Sequence, residues 1–281
     1  MHNDIVSALF TTKAACVSPA EQPFWYTSGK IGPYYINTHY LYGSEEKASE
    51  LLSKIDGWVE DKFCCASNVM TAVVKNYRSD PIYASVIDAM AEYIRSNIDI
   101  DSFDYISGGA RRDWYFSLML AHIFSKPHIT IFKDLTYTAF DGKSSHDVSI
   151  AGCKVLHIAD IITEAASYTR AWIPALKQAG ADMTDSMVVI DRMQGGSDVL
   201  IANGVKSHSL VRVDVSLFES ANSLHLIDDG QLELVKNYIN DPGKAMTAFI
   251  KAHPEFLENA LNSDAKTASR ARLCIENKFY R

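Results

Sequence analysis

The sequence predicts an α/β fold: a mainly parallel sheet flanked by helices, with an N-terminal hairpin before it and a helical extension after it. Three observations predict it. From residue 103 onward, short apolar runs alternate with amphipathic stretches of helical length, the rhythm of βαβ units. Several of those runs end in turns of glycine, hydroxyl or charged residues, and parallel sheets gather their ligands at the carboxyl ends of strands. The stretch 226–281 has no strand pattern at all.

The opening, MHNDIVSALFTTKAA, reads as a short helix and lacks the basic start and apolar core of a secretory signal. Next comes a hairpin candidate, QPFWYTSGKIGPYYINTHYLY, turning at Ser28-Gly29-Lys30 and Gly32-Pro33. Apolar spacing predicts two helices, over 47–59 and 81–96. FDYIS is a buried strand, followed by Gly-Gly-Ala-Arg-Arg and the helix DWYFSLMLAHIF. HITIF is the next strand; a polar loop, KDLTYTAFDGKSSHDVSIAG, leads to the strand CKVLHIAD. The helix after it carries Pro174, whose interior placement should kink it or cost about 3 kcal/mol, and Gly180 fits its stop. DSMVVID and SHSLVRVD are the last strands, joined through a short helix in RMQGGSDVLIANG. DGQLELVKNYIN, PGKAMTAFIKAH and PEFLENALN read as short helices capping the core. The expected division is therefore residues 1–225, hairpin included, and a C-terminal extension over 226–281 packed on them.

Composition narrows the class. The chain has 281 residues, 47% apolar and 22% charged, as in an ordinary globular protein. It has no uncharged apolar stretch of about 18 residues, so no membrane span is expected. Its net charge of −7 argues against a general nucleic-acid binder. The five cysteines are scattered without metal spacing, and Cys64-Cys65 reads as a pair of reduced thiols in a cytoplasmic protein.

Three clusters carry chemistry. In ISGGARRDW, Gly108 and Gly109 free the backbone to aim N–H groups at an anion, and Arg111 and Arg112 add positive charge; the alternative is a tight turn with solvated arginines. In ADIITEAAS, Asp160 suits a sugar hydroxyl or a metal-bound water, while Thr163 and Ser167 offer hydroxyls beside a helix start. There Thr163 is alternatively a helix cap with Glu164 in the first turn. A Glu164 carboxylate buried in that turn would repel a phosphate by several kcal/mol; one facing water would not. In VVIDRMQGG, Arg192 either grips a carboxylate in two-point fashion or pairs with Asp191 to hold the turn.

In this order, the segments resemble the orotate phosphoribosyltransferases, type I phosphoribosyltransferases, over roughly residues 20–220. FWYTSGKIGPYYIN is similar to that family's N-terminal segment, GGARRDW to its pyrophosphate loop, VLHIADIITEAAS to its signature for phosphoribosyl pyrophosphate (PRPP), and DRMQGG to its D-R-x-E-G-G. The resemblance implies transfer of ribose 5-phosphate from Mg-PRPP to orotate, in pyrimidine nucleotide synthesis, by a cytoplasmic homodimer. It implies that Lys30 reaches PRPP or the pyrimidine, and that Tyr34 and Tyr35 line the base pocket. Gly108, Gly109, Arg111 and Arg112 would hold pyrophosphate, Asp160 the ribose hydroxyls, Thr163 and Ser167 the 5′-phosphate, and Arg192 the orotate carboxylate. Magnesium would come with PRPP, with no direct protein ligand. Lys133 would be the basic residue of the strand-end loop.

The departures are specific. The first of the signature's two acids is Ala159, and its glycine-containing turn is Glu164-Ala165-Ala166. In the family's mobile loop, Phe132 replaces an arginine and Thr136 the lysine that steadies departing pyrophosphate; Lys143 and His146, further along, are the candidates to substitute. These losses keep a second reading open: a non-catalytic PRPP- or nucleotide-binding regulator of the same fold. A transferase for another base is a third.

Overall fold

The computed structural model describes residues 2–279. The chain forms two compact units, each assembled from two stretches: residues up to Ala14 with Thr38–Val213, and Ala15–Asn37 with the chain from Asp214 onward. This differs from the expected division at 225. The predicted hairpin belongs with the C-terminal helices, because its apolar side chains share a core with them.

In the first unit a seven-stranded sheet is built from β1 (Tyr105–Gly109), β2 (His128–Ile131), β3 (Tyr137–Phe140), β4 (Ser145–His146), β5 (Lys154–Ile162), β6 (Asp182–Asp191) and β7 (Lys206–Arg212). Their spatial order is β7-β6-β5-β1-β2-β3-β4. β7, β6, β5, β1 and β2 run parallel; β3 and β4 add antiparallel at one edge. The parallel strands read as continuous apolar runs because both faces are covered: all of β2 is buried, as is most of β5. Two histidines sit in this interior, and each finds hydroxyl partners. His128 meets Thr130 Oγ1 and Ser117 Oγ, both at 2.9 Å; His157 Nδ1 meets Ser107 Oγ at 2.8 Å. Burial lowers both rings to a pKa of about 3, so they are neutral.

The segment expected to be a polar loop after β2 is instead β3 and β4. A turn closes it, with the Phe132 N–H donating to the Thr136 carbonyl at 2.9 Å, and Leu135 takes a φ of 66°. Lys62 donates to Asp134 and Thr136 and lies over the Phe132 ring, so the turn is tied down.

The helices of this unit are α1 (His2–Thr11), α2 (Glu45–Trp58), α3 (Lys62–Ser79), α4 (Pro81–Asn97), α5 (Trp114–Phe124), α6 (Ile173–Gln178) and α7 (Gly196–Ala202). The sequence reading had no counterpart to α3. Asp80 joins α3 to α4 in one residue: its N–H closes α3 on the Asn76 carbonyl, and its carboxylate caps α4 at Ile82 and Tyr83, with Pro81 at the first helical position. Pro174 follows a π-turn within one helical run. Residues 166–167 are α-helical, Tyr168–Trp172 winds as a π-turn with the Ile173 N–H reaching the Tyr168 carbonyl, and α6 continues from Ile173 with the proline in its first turn.

The second unit pairs Ala15–Val17 with Tyr34–Ile36, and Phe24–Trp25 with Ile31–Gly32, both antiparallel. Around them lie α8 (Val215–Ser223), α9 (Asp229–Asn240), α10 (Pro242–Ala252), α11 (Phe256–Leu261) and α12 (Ala265–Glu276). Ile31, Met246, Ile250 and Cys274 form its core, with Trp25 stacked on Phe256. Gly29, at φ +84°, lies so close to α12 that a Cβ would meet Leu273 Cβ at 2.7 Å. Among the described residues no helix is long and apolar enough to cross a membrane.

Candidate functional site

The chain lays down β1 to β4 outward on one side, then returns to place β5 on the other flank of β1 and continues to β7. The order therefore reverses between β1 and β5, the position where doubly wound sheets open a crevice beyond their carboxyl ends. The two strands pair only as far as Ser107↔His157. Past that point lies a cavity of about 350 Å³, walled by Ala110–Asp113, Lys133, Ala159–Thr163, Ala165–Tyr168 and Trp172. Arg111, Arg112, Lys133, Asp160, Thr163 and Ser167, predicted from two separate turns and a loop, thus meet in one place.

The turn after β5 answers the question posed by its carboxylate. Glu164 is exposed and is not part of the cavity wall, whereas Thr163, Ala165, Ala166 and Ser167 are. Ala165 takes a φ of 55°, the left-handed region that costs a residue with a Cβ about 1–2 kcal/mol, and the residue is buried. From behind, Gly196 holds the turn in place: a Cβ there would lie 2.5 Å from the Thr163 carbonyl oxygen. The Thr169 N–H and hydroxyl both return to the Ala165 carbonyl.

Charge is arranged unevenly. Arg112 and Lys133 are exposed cations on the wall. Arg111 is ion-paired with Asp56 of α2. Asp160 is buried; desolvation pushes its pKa up to about 6, against the lowering pull of Arg112. Behind it Asp113, also buried, is held well above the carboxylate range by desolvation and then by the charge of Asp160. His39 is buried too, its Nδ1 without a partner, and burial followed by Arg112 lowers its pKa to about 4.

Gly108 and Gly109 lie inside β1, and the structure gives both a packing reason. A Cβ on Gly108 would sit 2.2 Å from Ser117 Oγ, and one on Gly109 would sit 2.4 Å from Trp172 Cζ2. The Gly109 N–H is spent on Asp113 Oδ2 rather than aimed at the cavity.

In the third turn, Asp191 holds the chain by local bonds, accepting from the Met193 N–H and the Ser197 hydroxyl, both at 2.7 Å. Arg192 does not pair with it. The Arg192 N–H donates to the Ile162 carbonyl on the cavity wall, and its Nε is buried with no partner.

Two expected residues are corrected. Lys143 and His146 lie in and just after the β3–β4 turn, and Phe140, which leads into that turn, pairs with His128 at the amino end of β2. They therefore stand at the opposite end of the sheet from the cavity, with His146 bonded to Ser144. Within this chain neither can replace the missing loop lysine. Lys30, Tyr34 and Tyr35 belong to the second unit. Lys30 lies over the Phe279 ring, Tyr34 is buried against Phe218 and Tyr238, and Tyr35 is 39% exposed beside Phe24.

The sequence reading missed Asp113 and Trp172. An acid just before an apolar helix is a cap signal, and Asp113 stands there, but its side chain makes no bond to its own helix. Trp172 was hidden because only the π-turn swings it over β1.

No protein-family model matches the chain. Orotate phosphoribosyltransferase from Cenarchaeum symbiosum is 39% identical over 84 residues, covering 30% of this chain and 40% of that enzyme. The chain spans less than half the length of the curated relatives it matches. Leishmania donovani UMP synthase superposes with a TM-score of 0.58 at 17% identity, covering 85% of this chain and 42% of the other. Orotate phosphoribosyltransferase from Aeropyrum pernix superposes with a TM-score of 0.50 at 18% identity, covering 79% and 99%. The chain thus has the type I phosphoribosyltransferase fold and is similar in sequence to orotate phosphoribosyltransferases.

Proposed function

We propose that this chain of orotate phosphoribosyltransferase-like fold transfers ribose 5-phosphate from Mg-PRPP to orotate. The observation that carries the reading is the cavity at the β1–β5 fork, where two acids, two exposed cations and a hydroxyl-bearing turn line one volume. The amides and hydroxyls of Thr163–Ser167 hold the 5′-phosphate, with Glu164 turned to water. Ionised Asp160 accepts the ribose hydroxyls. Arg112 and Lys133 face pyrophosphate, whose bond to the anomeric carbon breaks as the ring nitrogen bonds there and gives up its proton. Fixed cations at that leaving group act where charge develops, and one such donor is worth about 3–4 kcal/mol. Among the described residues no three His, Cys, Asp or Glu side chains converge on a metal position. Magnesium in this reading is carried by the pyrophosphate as part of the substrate. The unpartnered Arg192 Nε supports recognition of a carboxylate on the base. The same reading expects a cytoplasmic homodimer.

Mixing protein, Mg-PRPP and orotate and following orotate absorbance tests the reading. Turnover should be lost in Asp160→Asn and fall about a hundredfold or more in Arg112→Ala. Absence of turnover at high protein concentration removes the catalytic claim. One observation favours a second reading, a PRPP- or nucleotide-binding regulator: residues 137–146 are built into the sheet and bring no lysine to the leaving group. Thermal stabilisation by PRPP without chemistry would establish it.

A further inference from the structure

We propose that Asp113 is a positioning residue of this site: its carboxyl group replaces the missing ladder bonds where β1 and β5 part, and so sets Asp160 and the Ala110–Arg112 turn. The ligand side of the proposal rests on the phosphoribosyl reading; the clasp itself does not. Paired strands satisfy each other's amides, and a buried N–H left over costs about as much as a lost hydrogen bond. β1 and β5 are in register at Tyr105↔Val155, Ile106↔Leu156 and Ser107↔His157. Beyond the fork, the Gly109 N–H donates to Asp113 Oδ2 and the Asp160 N–H donates to Asp113 Oδ1, each at 3.0 Å. Trp114 adds a third bond, its Nε1–H donating to the Gly108 carbonyl at 3.0 Å. The start of α5 is thus bolted to both strands at the point where they separate, and the crevice between them is held open at a fixed width.

The surroundings make this carboxyl hard to replace. It is buried, and it faces the Asp160 carboxyl, the His157 Nε2 at 3.9 Å and, further off, the Tyr168 phenol. His157 is neutral and supplies no charge. Desolvation raises both acids, and Asp113 carries the added charge of Asp160 whereas Asp160 has the opposing pull of Arg112, so Asp160 is the member that ionises first. Orientation and ionisation of the ribose-facing acid both pass through Asp113.

Asp113→Asn swaps one acceptor oxygen for an amide NH2 that cannot receive an N–H. Without ligand, amide hydrogen exchange at Gly109 or Asp160 should speed up about tenfold or more, while that of Val188 is unchanged. With ligand, calorimetric affinity for Mg-PRPP should fall about tenfold. The double variant with Asp160→Asn should bind no more than about threefold weaker than Asp160→Asn alone, because the two act as one unit. Unchanged exchange at both amides, or strictly additive losses, overturns the proposal. If the wild type binds no PRPP, the phosphoribosyl reading fails and the exchange result alone decides the clasp. Should Asp113→Asn not fold, the wild type decides. Gly109 and Asp160 amides protected like those of β6 support the clasp, and exchange as fast as at exposed Gly142 overturns it.

Discussion

Gly109→Ala tests whether β1 and the π-turn are packed as described. The added Cβ would lie 2.4 Å from Trp172 Cζ2, 2.5 Å from Cε2 and 2.7 Å from Cη2, against ordinary contact from 3.4 Å upward. One side must give by about 1 Å. Gly109 cannot retreat, because it pairs with Ile131 and donates to Asp113. The indole must move, yet it is 9% exposed and tilted over His157 at 6.1 Å. Overpacking of this kind costs about 1–3 kcal/mol, and at about 2–4 °C per kcal/mol a drop of roughly 4–8 °C in Tm is expected at the midpoint of that range. A ring pushed off β1 also has the cavity as its nearest free volume, so PRPP affinity should fall alongside stability. Trp172→Leu costs packing by itself, but in the Gly109→Ala background it removes the clash, giving a coupling of about 1 kcal/mol or more. A Gly109→Ala protein melting within about 1 °C of wild type, or additive effects in the double variant, would refute this packing argument.

Other expectations follow from the same geometry. Burial raises Asp160 to a pKa of about 6, so a proton competes with ribose below that pH; PRPP affinity should climb as pH rises through 6, and Asp160→Asn should remove that component, leaving only the titration of the ligand's own phosphates. Glu164→Gln should leave PRPP affinity within about twofold of wild type, because the carboxylate is screened by water; a tenfold gain in calorimetry would place it in the cup after all. Lys133→Ala should weaken PRPP binding about tenfold, whereas Lys143→Ala and His146→Ala should not change it; the reverse pattern would contradict the β3–β4 placement. Arg192→Ala should abolish saturation by orotate while the thermal shift with PRPP persists, and loss of both would show the residue to be structural.

The alternation of strands and helices, and the turns at strand ends, were legible because parallel strands are apolar throughout and their turns need glycine or hydroxyls. α3 was not, since its buried face of Cys65, Ala66, Val69, Met70, Val73 and Asn76 mixes small, β-branched and polar residues, which blurs the apolar stripe. The β3–β4 hairpin was read as a loop although Asp141-Gly142 is a turn signal; only Tyr137–Phe140 beside it is apolar, too short a run to outweigh the polar flanks. The roles of Gly109 and Asp113 depend on what lies across a gap between strands far apart in sequence. No local pattern encodes that. Lys143 and His146 failed for the same reason, because sequence proximity to β2 said nothing of which end of the sheet they occupy.

The second unit is completed only by residues from Asp214 onward, although its hairpin is made first. At a synthesis rate of about 5–20 residues per second, Trp25 and Ile31 wait roughly twelve to fifty seconds on the ribosome for Met246, Ile250 and Cys274 to cover them. A nascent chain in that interval offers a sticky aromatic strand pair to chaperones and to other nascent chains. Yield in cells should therefore respond to translation speed and chaperone supply more than the finished protein's melting point suggests.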